Sequence, residues 1–150
     1  MNKKTIEFIK ILKERGLIHQ TTDMDELINT NNKIIGYTGF DCTADSLHVG
    51  SLLQLMLLRW LQNTGNKPIV LIGGGTTKIG DPSGKDKTRL ILSEKNISDN
   101  SLGIQKIVKK FIKFGNNDTD ATLLDNSDWL NKLNYINFLR DFGCHFSVNR

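Results

Sequence analysis

The tightest constraint in this 150-residue sequence is one short apolar run, Pro68-Ile69-Val70-Leu71-Ile72, opened by Lys67 and closed by Gly73-Gly74-Gly75. A strand with one wet face alternates apolar and polar residues. A run without alternation, too short for a helix, predicts a strand buried on both faces, the usual condition in a parallel sheet. Parallel neighbours cannot be joined by a tight turn, so such a strand demands crossovers, usually helices.

The flanking sequence supplies them. From Ser46 to Thr64 the chain carries Leu52, Leu53, Leu55, Met56, Leu57, Leu58, Trp60 and Leu61, and Gly65 stops the run. This predicted helix is apolar on most sides and is expected to be covered by other elements. Before it, residues 33–37 read as a short buried strand opening into a loop, Thr38 to Thr43. Residues 4–15 read as an amphipathic helix ended by Gly16. After the central strand, residues 73–84 read as a glycine-rich loop, 86–92 and 100–114 as helices, 121–126 as a third strand, and 128–142 as a helix ended by Gly143. Strands alternating with helices predict an α/β domain with a doubly wound parallel sheet.

Composition sets wide bounds. Hydrophobic residues make up 38% and charged residues 24%, and a net charge of +4 is compatible with a phosphate or nucleic-acid partner without requiring one. A chain of this length buries roughly 68–70% of the surface it exposes when unfolded, enough for a core. Cys42 and Cys144 are far apart and only three histidines are present, so no protein-bound metal is expected. No run reaches the ~18 apolar residues of a membrane span. A reduced, cytoplasmic protein without membrane attachment is the expectation, and His145 to Arg150 shows no terminating signal, as if the chain stopped mid-structure.

The chemistry-bearing stretch runs from Tyr37 to Ser51: a strand, a polar loop, then a helix start containing His48 and Gly50. A helix N-terminus presents unpaired N–H groups and the positive end of its dipole, which suits a phosphate. Gly50, lacking Cβ, lets a flat ligand approach the backbone. Thr43 and His48 could donate to phosphate oxygens. Taken alone, a His and a Gly at a helix start are more often structural than functional.

Their context is more specific. His48-Val49-Gly50-Ser51 resembles the H-I-G-H element of class I aminoacyl-tRNA synthetases. Tyr37-Thr38-Gly39-Phe40-Asp41 with Thr43-Ala44-Asp45-Ser46-Leu47-His48 is similar to the tyrosyl-specific version. Gly73-Gly74-Gly75-Thr76, Ile79-Gly80-Asp81-Pro82-Ser83-Gly84-Lys85, Arg89, Asn126, Asp128-Trp129 and Phe138-Leu139-Arg140-Asp141 match later blocks in order. The resemblance covers essentially all of residues 1–150. Three positions depart from it: Ser51 stands where the second His is usual, Cys42 where Pro is common, and Thr38 where Cys is common.

The resemblance implies a Rossmann-like fold and the first half of a catalytic domain, ending before the second half, the K-M-S-K-S loop and the anticodon-binding region. It implies a tyrosine–tRNA ligase that activates L-tyrosine with ATP, carrying Mg2+ on the nucleotide, and charges tRNA(Tyr), as a homodimer when complete. By the same resemblance Thr43, His48, Gly50 and Ser51 are catalytic. Tyr37, Thr76, Asp81 and Asn126 hold tyrosine, and Thr38, Gly39 and Asp41 join the first four around ATP. Lys85 and Arg89 would contact phosphate or tRNA. Two other readings stay open: another nucleotidyltransferase with a similar turn, and a non-catalytic ATP-binding fragment or module. Tyr37 together with Asp81 disfavours a tryptophanyl relative.

Overall fold

The computed structural model describes residues 2–79 and 92–146. Its frame is a three-stranded parallel sheet, β1 (Ile35–Asp41), β2 (Lys67–Gly73) and β3 (Thr122–Asp125), in spatial order β1-β2-β3. β1 and β2 pair from Ile35↔Lys67 to Asp41↔Gly73, and β2 and β3 from Ile69↔Thr122 to Ile72↔Asp125. The carboxyl ends of all three strands therefore lie side by side.

Helix α1 (Lys3–Glu14) and the short α2 (Met24–Asn29) precede the sheet; α3 (Val49–Asn63) crosses from β1 to β2. α4 (Gly74–Ile79) and α5 (Glu94–Val108) lie between β2 and β3. α6 (Ser127–Leu130), α7 (Tyr135–Asp141) and a 3₁₀ turn, Gly143–His145, follow. Gly16 at φ 66° and Gly65 at φ 83° end α1 and α3 in the left-handed conformation that favours glycine.

The core lies on one face of the sheet. Phe40, Val70 and Ile72 point toward Leu55 and Leu58 of α3 and toward Ile97, Ile104 and Val108 of α5, with Cys42 among them. Both helices share this face for a reason of handedness. Parallel crossovers are right-handed, and a strand order that advances without reversing puts successive helices on the same side. The expectation that β2 is buried on both faces is accordingly corrected. Val70 and Ile72 are fully buried, whereas Ile69 and Leu71 are half-buried and Ile35 and Tyr37 on the same side are exposed.

Other expectations also shift. The strand expected over 33–37 runs instead to Asp41, so Thr38 to Asp41 belong to β1 and not to a loop. The helix expected from Ser46 starts at Val49, with His48 as its N-cap, and it is covered on one side only: Leu52 and Leu53 are exposed beside buried Leu55, Leu58 and Leu61. The described part of the glycine-rich segment is helical from Gly74 to Ile79. The helix expected over 100–114 spans Glu94–Val108, and the single helix over 128–142 is two, with Asn134 capping the second through Asn137 N–H. The expected stop at Gly143 holds, α7 ending at Asp141 with Phe142 as its C-cap, and Gly143 then opens the 3₁₀ turn. The helix expected over 86–92 lies outside the described residues but for Leu92, which is not helical. Among the described residues no helix is long and apolar enough to cross a membrane.

Ile104 is fully buried where α5 meets the sheet, so Ile104→Ala should cost about 2–5 kcal/mol. Leu53→Ala, on the exposed side of α3, should cost clearly less. Denaturant unfolding of both variants checks this. Equal midpoint shifts would mean that the core does not lie on the α3–α5 face.

Candidate functional site

The site grows from the carboxyl ends of the strands. β1 ends at Asp41, and α4 begins directly after β2, so its first N–H groups have no partner within the helix. Asn126, immediately beyond β3, supplies one. Its Oδ1 accepts from Gly75 N–H at 2.7 Å and Thr76 N–H at 3.3 Å. Its Nδ2 donates to Thr76 Oγ1 at 3.1 Å, and the Thr76 hydroxyl donates to Asp41 Oδ1 at 2.8 Å. Residues from three strand ends are thereby strung on one line of hydrogen bonds. Asn126 itself is buried.

Beside Asp41 opens a cleft of about 490 Å³. Gly39, Asp41, Thr43, His48, Gly50 and Ser51 all line it. Gly39 has open space where a Cβ would stand, so a ligand can lie against the β1 backbone there. The chain then turns through Cys42 to Leu47 and enters α3, whose N-terminus faces the same hollow.

His48 does more than stand at this helix start. Its Nδ1 accepts from Gly50 N–H at 3.0 Å, capping α3. An imidazole whose Nδ1 accepts carries its proton on Nε2, leaving that N–H as a donor. Gly50 is what lets the ring lie so close: a Cβ there would come within 2.9 Å of His48 Cε1. The glycine thus serves the histidine as well as any ligand. Ser51 is largely buried, and its N–H donates to the His48 carbonyl at 3.0 Å.

The remaining expected residues sit elsewhere. Thr38 is not among the residues lining the cleft; it shares the face of Gly36 and Phe40, and its hydroxyl is buried without a partner among the described residues. Tyr37 projects from the opposite face of β1 and is 68% exposed. Asp81, Lys85 and Arg89 lie outside the described residues. Among the described residues no group of three or more His, Cys, Asp or Glu side chains is placed to hold a metal ion.

Sequence reasoning missed the supports of the cleft. Thr77 Oγ1 accepts from Cys42 N–H at 2.8 Å, and Asn100 Nδ2 donates to the Cys42 carbonyl at 2.9 Å. Burial, with a smaller push from Asp125, raises the Cys42 thiol to about 11. At neutral pH it is therefore a protonated core group. The one available signal was Gly103, a glycine in the middle of an otherwise ordinary helix.

A parallel sheet with polar residues gathered at the carboxyl strand ends, and helices crossing between its strands, defines a Rossmann-like α/β domain. The particular family follows from comparison: the chain belongs to the class I tRNA synthetases of the W and Y group, whose family model matches residues 29–150. It is 55% identical over 146 residues to a tyrosine–tRNA ligase of Rhodospirillum rubrum, covering 96% of this chain and 35% of the relative. It is 57% identical to that of Rickettsia felis, covering 97% and 36%. The chain thus spans about a third of the length of these relatives. Among solved structures, a C-terminally truncated mitochondrial tyrosyl-tRNA synthetase of Aspergillus nidulans superimposes with a TM-score of 0.78 at 31% identity, covering 95% of this chain and 44% of that one.

Two outcomes follow from this geometry. Asn126→Ala strips the acceptor from the start of α4 and should lower stability by about 1–3 kcal/mol, the cost of unpaired buried groups; an unchanged denaturation midpoint would show that the line of hydrogen bonds holds nothing. Cys144, exposed, should react rapidly with a thiol reagent while Cys42 reacts only on unfolding. Two fast-reacting thiols in the native protein would contradict the packing described for Cys42.

Proposed function

We propose that this chain is the first half of the catalytic domain of a tyrosine–tRNA ligase, which condenses L-tyrosine with ATP to tyrosyl-adenylate and passes the tyrosyl group to tRNA(Tyr). The observation that carries the reading is the cleft, where Thr43, His48 and Gly50 meet the N-terminus of α3 beside Asp41. Relatives at 55–57% identity that bear the name tyrosine–tRNA ligase support the amino acid.

The reaction is attack of the tyrosine carboxylate on the α-phosphorus of ATP, with departure of pyrophosphate. No protein nucleophile is needed, so the protein contributes position and charge. Negative charge grows on the departing phosphates. The Nε2–H of His48, the Thr43 hydroxyl and the N-terminal dipole of α3 are groups at the cleft that can stabilise it. Mg2+ belongs to the nucleotide substrate. Gly39 leaves room for nucleotide against β1, and Asp41 and Ser51 border it. Thr38 stands apart from this set, with the ribose role suggested by resemblance.

For tyrosine, the phenol falls to Tyr37 and the α-ammonium to the Asp81 carboxylate, a charge-assisted contact. Thr76 and Asn126 line the amino-acid pocket. Lys85 and Arg89 complete the set toward phosphate or tRNA. The reading extends to a cytoplasmic protein that is a homodimer when complete.

The test is amino-acid-dependent exchange of pyrophosphate into ATP by the native gene product. Tyrosine should drive it. Exchange driven by tryptophan instead would move the protein to the other branch of its family. His48→Ala should lower kcat by roughly 10²–10³, the range for losing one transition-state donor, and leave the tyrosine KM within about twofold. A rise in tyrosine KM with kcat intact would remove His48 from the phosphate side.

A further inference from the structure

Thr43 lies on the segment between β1 and α3, exposed itself, with Cys42 buried on one side of it and Leu47 packed against the core on the other. What holds it is α5. Asn100 Nδ2 donates to the Cys42 carbonyl at 2.9 Å, just before Thr43. Just after it, the Asp45 carbonyl rests on Gly103: a Cβ at that glycine would stand 2.2 Å from the Asp45 oxygen and 3.0 Å from its carbon. The obstruction is main chain, so it cannot rotate aside. Glycine weakens a helix interior, and here the absence of a side chain is what admits the carbonyl.

Asn100 and Gly103 are three apart and face one way on the helix, as Ile97 and Ile104 do toward the core. Below them Thr77 Oγ1 takes the Cys42 N–H at 2.8 Å. The thiol of Cys42, fully buried in the cluster containing Ile104, anchors the same point. Thr43 is thereby bracketed between two main-chain carbonyls whose positions α5 fixes. His48 is three residues past the second bracket.

We infer that Asn100 and Gly103 are positioning residues for the phosphate end of the cleft: they brace residues 42–48 so that Thr43 and His48 stand toward the ligand. They touch no reacting atom and act through Thr43 and His48. The inference rests on the nucleotide reading proposed above and adds residues outside the signature motifs. Its consequence is specific. Loosening the brace should damage the chemical step and spare tyrosine binding.

The experiment compares Gly103→Ala and Asn100→Ala with wild type, each in the native gene product. Hydrogen exchange of the Cys42 amide, which donates to Thr77 Oγ1, should accelerate roughly tenfold while the amides of 69–72 stay protected, as expected for a local opening. In pyrophosphate exchange, kcat should fall about 10²-fold for Gly103→Ala, the scale of a misplacement near 1 Å, and the tyrosine KM should hold within about twofold. In a background lacking both Thr43 and His48 (Thr43→Ala with His48→Ala) the further fall should shrink to less than about threefold, since contacting or coupled residues are non-additive. A merely structural defect would instead cost the same in both backgrounds, and that result overturns the inference. So does unchanged exchange at the Cys42 amide. Asn100→Ala removes a single hydrogen bond and decides the matter if Gly103→Ala does not fold. A wild-type protein inactive with tyrosine would defeat the functional reading, while the hydrogen-exchange comparison would still decide whether α5 braces the segment.

Discussion

The cleft depends on a line of side-chain hydrogen bonds that ties three strand ends together, from the Asn126 amide through the Thr76 hydroxyl to the Asp41 carboxylate. At the carboxyl end of a parallel sheet the ladder stops, and the chains leave in different directions. Side chains must do what the ladder no longer does. The line has a direction. A hydroxyl has one proton to give, and Thr76 gives it to the carboxylate while its lone pairs receive the amide. The chain of donors therefore ends on a charge, the strongest acceptor present. It also places Asn126 under the first N–H groups of α4, so a helix that follows its strand without a connecting loop is capped from across the sheet.

This arrangement explains what the sequence made legible. The apolar run at β2, the leucine-rich helix and the glycine stops at Gly16 and Gly65 are local signals, and each lies where periodicity put it. The motif residues that the resemblance assigns to the nucleotide also lie together, Thr38 apart: Gly39, Asp41, Thr43, His48, Gly50 and Ser51 share one cleft. They are close in sequence, and a strand–loop–helix unit brings such residues to one place without help from distant contacts. Thr38 was set apart by strand geometry. It lies two residues before Phe40, which shares its face of β1 and does line the cleft, so Thr38 sits too far from the carboxyl end of the strand.

What was not legible has tertiary causes. Residues 74–79 read as loop because glycine disfavours helix, yet Asn126, some fifty positions away, supplies the acceptor that makes a helix start there. The segment 128–142 read as one helix by its apolar spacing. Asn134 divides it by using its side chain to cap a new helix, a choice open to Asn that periodicity does not see. The burial of β2 was misjudged on one face because handedness, which sends α3 and α5 to the same side, is a property of strand order and not of composition.

Glycine is the residue whose meaning changed most between sequence and structure, and the reason lies in what a Cβ would meet. At Gly39 it would meet nothing, so the missing side chain leaves room for a ligand. At Gly50 it would meet the imidazole of His48, so the missing side chain lets a neighbour cap its own helix. At Gly103 it would meet the backbone of Asp45, so the missing side chain joins a distant helix to the segment that carries Thr43. Only the last of these stands in mid-helix, where glycine costs about 0.5–1 kcal/mol relative to alanine. Motif spacing points to the first two, since both lie within the signature stretch. The third carries no motif, and the mark it leaves in the sequence is that local cost, which makes sense only when the segment lying on α5 is seen to be the wall of the cleft.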